Sequence, residues 1–187
     1  MISVAELLTK LRPDMTIHQV AGNAQASTAR LFGISDISGS IGDDIIDLTS
    51  PDYSLAAHTM LISGGDGDDV IWGSDAGESI GGNSGNDVLF GGAGTNTLTG
   101  GAGADEFQFT KTSTADTIKD FNITEGDTLV FFNTGGADFD RDSIAINSLG
   151  DELSIAYGPN AEDVLTISFE NAVLQLDDLT ADVLSIA

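Results

Sequence analysis

Between residues 64 and 108 a carboxylate or amide side chain returns at every ninth position: Asp69, Glu78, Asp87, Asn96 and Asp105. Each stands five residues after a glycine (Gly64, Gly73, Gly82, Gly91, Gly100) and two before a bulky apolar side chain (Ile71, Ile80, Leu89, Leu98, Phe107). The stretch divides without insertion into five nonads, GGDGDDVIW, GSDAGESIG, GNSGNDVLF, GGAGTNTLT and GGAGADEFQ, and a separate copy, GSIGDDIID, runs from Gly39 to Asp47. Turns that stack at this period bring backbone carbonyls and one carboxylate per turn into register. An all-oxygen cage of that kind suits a hard cation, Ca²⁺, which takes about six to eight ligands at roughly 2.3–2.6 Å.

The elements that must hold such a cage follow from the same nonad. Glycine early in the unit lets the backbone turn through positive φ. The three residues after the acidic position read as a short strand whose central apolar side chain points inward. One turn and strand cannot bury its apolar face alone, so the unit works only as a stack. A phosphate-binding loop needs a long helix after a single glycine-rich turn, and none follows here. A flexible glycine linker would lack the recurring apolar residue.

Composition agrees with a cation ligand. The chain has 187 residues, with 6 Lys and Arg against 30 Asp and Glu, a net charge of −24, and no cysteine. Phosphate recognition needs a basic footprint, so nucleic acid is excluded as a partner, and anionic membrane surfaces are disfavoured. There is no thiolate metal site, no apolar run long enough to cross a membrane, and no basic stretch leading into an apolar one at the N-terminus to read as a Sec-type signal. Residues 1–30 carry Lys10, Arg12 and Arg30 against Glu6 and Asp14, a net of +1, while residues 31–187 carry 3 basic and 28 acidic side chains, a net of −25. In the first segment Val4, Leu7, Leu8 and Leu11 follow helical spacing up to Pro13, which predicts a short amphipathic helix.

The pattern GGxGxDxUx resembles the RTX, or haemolysin-type calcium-binding, repeat. That resemblance implies an all-β fold: a right-handed parallel β-roll in which two nonads make one coil, strands alternate between two sheets, and Ca²⁺ sits between turns on one edge. Nonads 64, 82 and 100 then share one edge, carrying Asp69, Asp87 and Asp105. Nonads 73 and 91 share the other, where Glu78 and Asn96 depart from the family pattern, so sites are expected on the first edge and poor ones on the second. The family's backbone ligands would fall on Gly65, Gly67, Gly82 and Ser84 for one ion, and on Asn83, Gly85, Gly100 and Ala102 for the next. If residues 48–63 form an expanded half-coil, Gly39 stacks directly before Gly64. A third ion would then use Asp44 and Asp69 with Ser40, Gly42, Gly64 and Asp66.

The chain thus divides into an N-terminal helix and linker (1–34), the calcium-binding roll (35–108) and a β-rich cap (109–187). The cap resembles the region that follows RTX repeats in proteins exported by type I secretion, and would include an uncleaved secretion signal. Its strand candidates are 143–147, 153–157 and 164–169, while the apolar residues from Val173 to Ile186 follow neither strand nor helix spacing. Its pattern D-x-I-x-D-F-x-x-x-x-G-D-x-L places Asp116, Asp120 and Asp127 as turn-capping residues or holders of one more cation.

No catalytic constellation is expected. The two histidines, His18 and His58, lie outside any zinc or protease spacing, no G-x-S-x-G elbow occurs, and carboxylate pairs are unspecific at this charge. Trp72, Phe90, Phe107 and Phe109 read as sheet packing before carbohydrate stacking, and Thr95, Thr97 and Thr99 give only one row of the array an ice-binding face requires. The expected function is a calcium-binding module of a larger secreted or surface protein (adhesin, toxin or exoenzyme). It would fold on Ca²⁺ outside the cell after meeting the type I secretion machinery. The alternative is a polysaccharide- or surface-binding module.

Overall fold

A computed structural model describes residues 35–49, 59–113, 115–132, 141–147, 149–157 and 163–186. The expected N-terminal helix, both histidines and the centre of the 48–63 excursion lie outside the described residues. Within them the chain is all β, with two short 3-10 turns and no α-helix.

The nonads set the architecture. Strands β1 (Asp36–Ser38), β3 (Leu61–Asp66), β5 (Ser79–Ser84), β7 (Thr97–Ala102) and β9 (Ala115–Ile118) pair in parallel in one sheet. Strands β2 (Ile45–Asp47), β4 (Val70–Trp72), β6 (Val88–Phe90), β8 (Glu106–Phe109) and β10 (Thr128–Phe131) pair in parallel in the other. The chain crosses between the sheets at every half-coil. Parallel pairing does not stop at residue 108, where the glycine period ends. It continues through β9 and β10, then through β13 (Asp163–Phe169) and β14 (Leu184–Ile186). Strands β11 (Ala145–Ile146) and β12 (Glu152–Tyr157) add an antiparallel edge next to β13. These three correspond to the strand candidates read from the sequence. The stretch whose spacing gave no assignment holds a 3-10 turn and β14.

The core is two ladders of the nonad's apolar position. Ile37, Ile62, Ile80, Leu98, Ile118 and Phe169 stack in the first sheet. Ile46, Ile71, Leu89, Phe107, Leu129 and Leu184 stack in the second. None of the twelve is more than 5% exposed. Each such side chain contributes about 1.5–3 kcal/mol by leaving water, and a solenoid gains it one coil at a time. Phe109 stacks on Phe131, and Phe121 bridges Phe107 and Phe169, so the aromatic residues close the core beneath the cap.

The separate copy joins the roll. Asp36 pairs with Leu61 and Ile45 with Val70, so Gly39 lies directly before Gly64 and the first coil is expanded in its second half. Leu48 and Met60, at either end of that expansion, are buried.

Candidate metal centre

On the first edge the acidic residues form a continuous ladder. The Asp44 N–H donates to Asp69 Oδ1 (2.7 Å), Asp69 N–H to Asp87 Oδ1 (2.8 Å), Asp87 N–H to Asp105 Oδ1 (2.9 Å) and Asp105 N–H to Asp127 Oδ1 (3.0 Å). One oxygen of each carboxylate is thereby fixed. The other oxygen of Asp69, Asp87 and Asp105 is buried and has no hydrogen-bond partner, in residues only 1% exposed. A buried carboxylate oxygen left in that state is strongly unfavourable. It requires a proton or a cation.

Carbonyl oxygens converge on the same gaps. Asn83 (φ 85°) and Gly85 (φ 132°) adopt the left-handed conformation, which turns their peptide planes. A side chain on Gly101 would strike the Asn83 oxygen, one on Gly103 the Gly85 oxygen, and one on Gly85 the Gly67 oxygen. These carbonyls therefore face the following turn. The Gly82 oxygen faces Gly64, the Gly100 oxygen faces Gly82, and the Ser84 and Ala102 oxygens accept the Gly67 and Gly85 N–H groups (2.7 and 2.9 Å), so these point to the preceding turn. Each gap between first-edge turns is lined by backbone oxygens from both sides, with the unpartnered Asp69 oxygen set between Gly64 and the Gly82 carbonyl and the unpartnered Asp87 oxygen between Gly82 and the Gly100 carbonyl. A Cβ on Gly64, Gly82 or Gly100 would collide with that free oxygen, which keeps the cradle open. Among the described residues no three carboxylates or histidines cluster as a metal site. The donor set supplies one carboxylate per turn and takes the rest from the backbone, as an oxygen-only Ca²⁺ site can.

The expanded first coil differs in one respect. Asp44 Oδ2 accepts from Ser40 N–H (2.6 Å) and Ser40 Oγ (2.9 Å), so the oxygen that stays free on Asp69, Asp87 and Asp105 is already engaged on Asp44. Gly42 has open space around it, and Asp66 pairs with Ile41 as an isolated bridge.

The second edge is closed by its own side chains. Glu78 accepts from the Ser74 hydroxyl and, more weakly, from Ser74 N–H, and both its oxygens are thus engaged. Asn96 Oδ1 accepts from Glu78 N–H (2.9 Å), while its Nδ2 donates to Asp116 Oδ1 (2.9 Å) and Ala93 O (3.3 Å). An amide N–H group stands where the first edge presents a free oxygen, and it repels a cation. Asp116 belongs to this edge, with one oxygen buried and unpartnered.

The sequence grouped Asp116 with Asp120 and Asp127, and the structure divides them. Asp116 is on the second edge. Asp120 accepts from Gly100 and Gly101 N–H (2.9 and 2.8 Å), and Asp127 ends the first-edge ladder, its Oδ2 taken by Asn122 N–H (2.8 Å). The half-coil alternation continues past the glycines, and it separates residues an odd number of half-coils apart. Sequence reasoning also missed a second, exposed ladder. Asp43 Oδ1 accepts from Asp68 N–H (3.0 Å), Asp68 Oδ1 from Asn86 N–H (2.7 Å), and Asn86 Oδ1 from Ala104 N–H (2.8 Å). Its signal was the acidic or amide residue immediately before Asp44, Asp69 and Asp87.

Burial pushes Asp87, Asp105, Asp116 and Asp127 up to about 6, against the opposing pull of the N–H groups they accept. Burial raises Asp69 and Glu78 as well. A carboxyl with a higher pKa in the folded state stabilises the fold below its unfolded value near 4, and that contribution is lost as pH rises through about 6. In chelator, β structure measured by circular dichroism is therefore expected to increase as pH is lowered from 7.5 to 5. A flat profile across that window would remove the carboxylate ladder as the source of instability.

A family model described as the RTX calcium-binding nonapeptide repeat, four copies, matches residues 61–78 and 81–107. No curated protein matches the chain. Among solved structures, the extracellular lipase LipA of Serratia marcescens is 25% identical over 82% of this chain and 21% of its own length, with a TM-score of 0.40. The chain thus spans about a fifth of that lipase. Two subunits of the Azotobacter vinelandii mannuronan C5-epimerase are also similar. The R2 subunit is 25% identical over 82% of this chain and 92% of its own, with a TM-score of 0.41. The R3 subunit is 24% identical over 79% and 80%, with a TM-score of 0.36.

Proposed function

We propose that this chain, which carries RTX calcium-binding nonapeptide repeats, is a module whose folding is driven by Ca²⁺ taken up along its first edge, as part of a larger protein that works outside the cell. RTX nonapeptide repeats bind calcium, and the observation that carries the reading here is the row of buried, unpartnered oxygens on Asp69, Asp87 and Asp105. Asp69 and Asp87 with Gly65, Gly67, Gly82 and Ser84 would hold one ion. Asp87 and Asp105 with Asn83, Gly85, Gly100 and Ala102 would hold the next. Asp44 would hold a weaker third with Asp69, Ser40, Gly42, Gly64 and Asp66, because Ser40 already engages its second oxygen. Bound there, Ca²⁺ supplies the positive charge that a stack of carboxylates lacks.

The rest follows from that charge balance. Without the cation the ladder repels itself and the first edge does not close. A cytosol poor in Ca²⁺ would leave the chain extended for type I export, and extracellular sites with dissociation constants of about 10⁻⁴–10⁻³ M would fold it after release. The proposed role is structural, with no catalytic step assigned to this chain. Equilibrium dialysis against Ca²⁺ tests the site assignment. Two ions per chain are expected to bind together, with a third at higher concentration. A chain that binds none, or binds only when the second edge is intact, would overturn it.

A further inference from the structure

The second residue of the nonad is glycine in three turns, at Gly65, Gly92 and Gly101. Where it carries a side chain, that side chain donates inside its own turn. Ser40 Oγ donates to Asp44 Oδ2 (2.9 Å) and Ser74 Oγ to Glu78 Oε1. Asn83 Nδ2 donates instead to a backbone oxygen, the Gly82 carbonyl (2.7 Å).

Asn83 thereby touches two gaps of the first edge. Its own carbonyl faces Gly101, toward nonad 100. Its amide reaches the other way. The Gly82 oxygen lies between nonads 64 and 82, where a Cβ on Gly64 would meet both that oxygen (2.9 Å) and Asp69 Oδ2 (2.1 Å). Ser63 Oγ also accepts from the amide (2.9 Å), with a longer contact to Gly81 O (3.4 Å), so the group is anchored. Asn83 holds this pose at φ 85°, a conformation that asparagine tolerates better than most side chains. The following gap repeats the arrangement without the amide, because Gly101 has no side chain to offer the Gly100 carbonyl.

A carbonyl oxygen has two lone pairs. At Gly82 one is taken by an N–H group, whose positive end then stands on the oxygen a cation would share. In the empty gap the same N–H steadies a carbonyl that lies beside the Asp69 carboxylate. A group that stabilises the empty gap more than the filled one weakens binding there.

We propose that Asn83 is a positioning residue that makes the two first-edge sites unequal: its amide holds the Gly82 carbonyl, and the ion between nonads 64 and 82 is released before the ion between nonads 82 and 100. The inference rests on the calcium reading above. The chain loaded with two equivalents of Ca²⁺ and mixed with excess fluorescent chelator in a stopped-flow instrument is expected to release its ions in two phases. Asn83→Gly is expected to slow the faster phase roughly two- to tenfold, the scale of one hydrogen bond, and to leave the slower phase in place. Glycine fits here, since Gly65 and Gly101 occupy the matching positions at φ 123° and 112°. Relief of backbone strain at residue 83 would by itself slow both phases together. Ser63→Ala, which leaves residue 83 untouched, is expected to slow the faster phase by a smaller factor. A faster phase unchanged in both variants, two phases shifted by the same factor, or a single phase in the parent would overturn the role of Asn83 and leave the calcium assignment standing. A parent that releases no Ca²⁺ would reject the calcium reading itself, and this inference with it.

Discussion

In excess chelator at neutral pH the chain is expected to give a coil-like circular-dichroism spectrum, and millimolar-range Ca²⁺ is expected to convert it cooperatively to a β spectrum. Three unpartnered carboxylate oxygens are buried along one edge of a segment with net charge −25. An uncompensated buried carboxylate costs about 3–5 kcal/mol, and two or three of them consume a stability that for a domain of this size is about 5–15 kcal/mol. Mg²⁺ should not substitute, because it demands tight octahedral geometry and gives up water reluctantly. The measurement is a titration of each ion followed by a thermal melt. A chain already β-structured and melting cooperatively in chelator at pH 7.5 would refute the proposed role of calcium.

The second large effect is expected at Asp87. Asp87 is the middle carboxylate of the three with a free oxygen, hydrogen-bonded to the Asp69 turn on one side and the Asp105 turn on the other, so it should serve the ion shared with Asp69 and the ion shared with Asp105. Asp87→Asn preserves the acceptor for the Asp69 N–H and replaces the free oxygen with an amide N–H group. The chain already contains that arrangement at Asn96, on the edge that closes without a carboxylate pair. The Ca²⁺ midpoint for folding is expected to rise roughly tenfold or more, given that even supporting groups around a metal matter on that scale. Asp105→Asn should do less, since the next carboxylate, Asp127, has both oxygens engaged. Glu78→Gln should change little, because Ser74 already satisfies Glu78. Equal damage from Glu78→Gln and Asp87→Asn would mean that the two edges are equivalent and that this register is incorrect.

What the sequence revealed and what it hid have a common cause. The nonad made the strands, the inward residues and the first-edge carboxylates legible, because each is fixed by local turn chemistry and a strict period. The 25-residue step from Gly39 to Gly64 was legible by the same arithmetic. The continuation of the coil past Phe109 was harder to see, because glycine disappears there. Asp116-Thr-Ile and Asp127-Thr-Leu keep only the latter part of the unit, and their offsets of 20 and 22 residues break the period. The closure of the second edge by Ser74 was not legible at all. It depends on a serine hydroxyl meeting Glu78 across a turn, and the sequence shows only that two expected residues were replaced.

The register offsets along the first edge are 25, 18, 18 and 22 residues, yet the inward side chains stay in line throughout. Length variation is absorbed where the chain passes from one sheet to the other, as between Leu48 and Thr59. Descendants of such a chain are therefore free to change length in two ways: by exchange of whole 18-residue coils, or by drift inside a single crossover. A lone insertion within a nonad would instead turn its apolar residue outward. Loss or gain of a whole coil would remove or add one first-edge carboxylate, so the capacity for cations would change in whole steps.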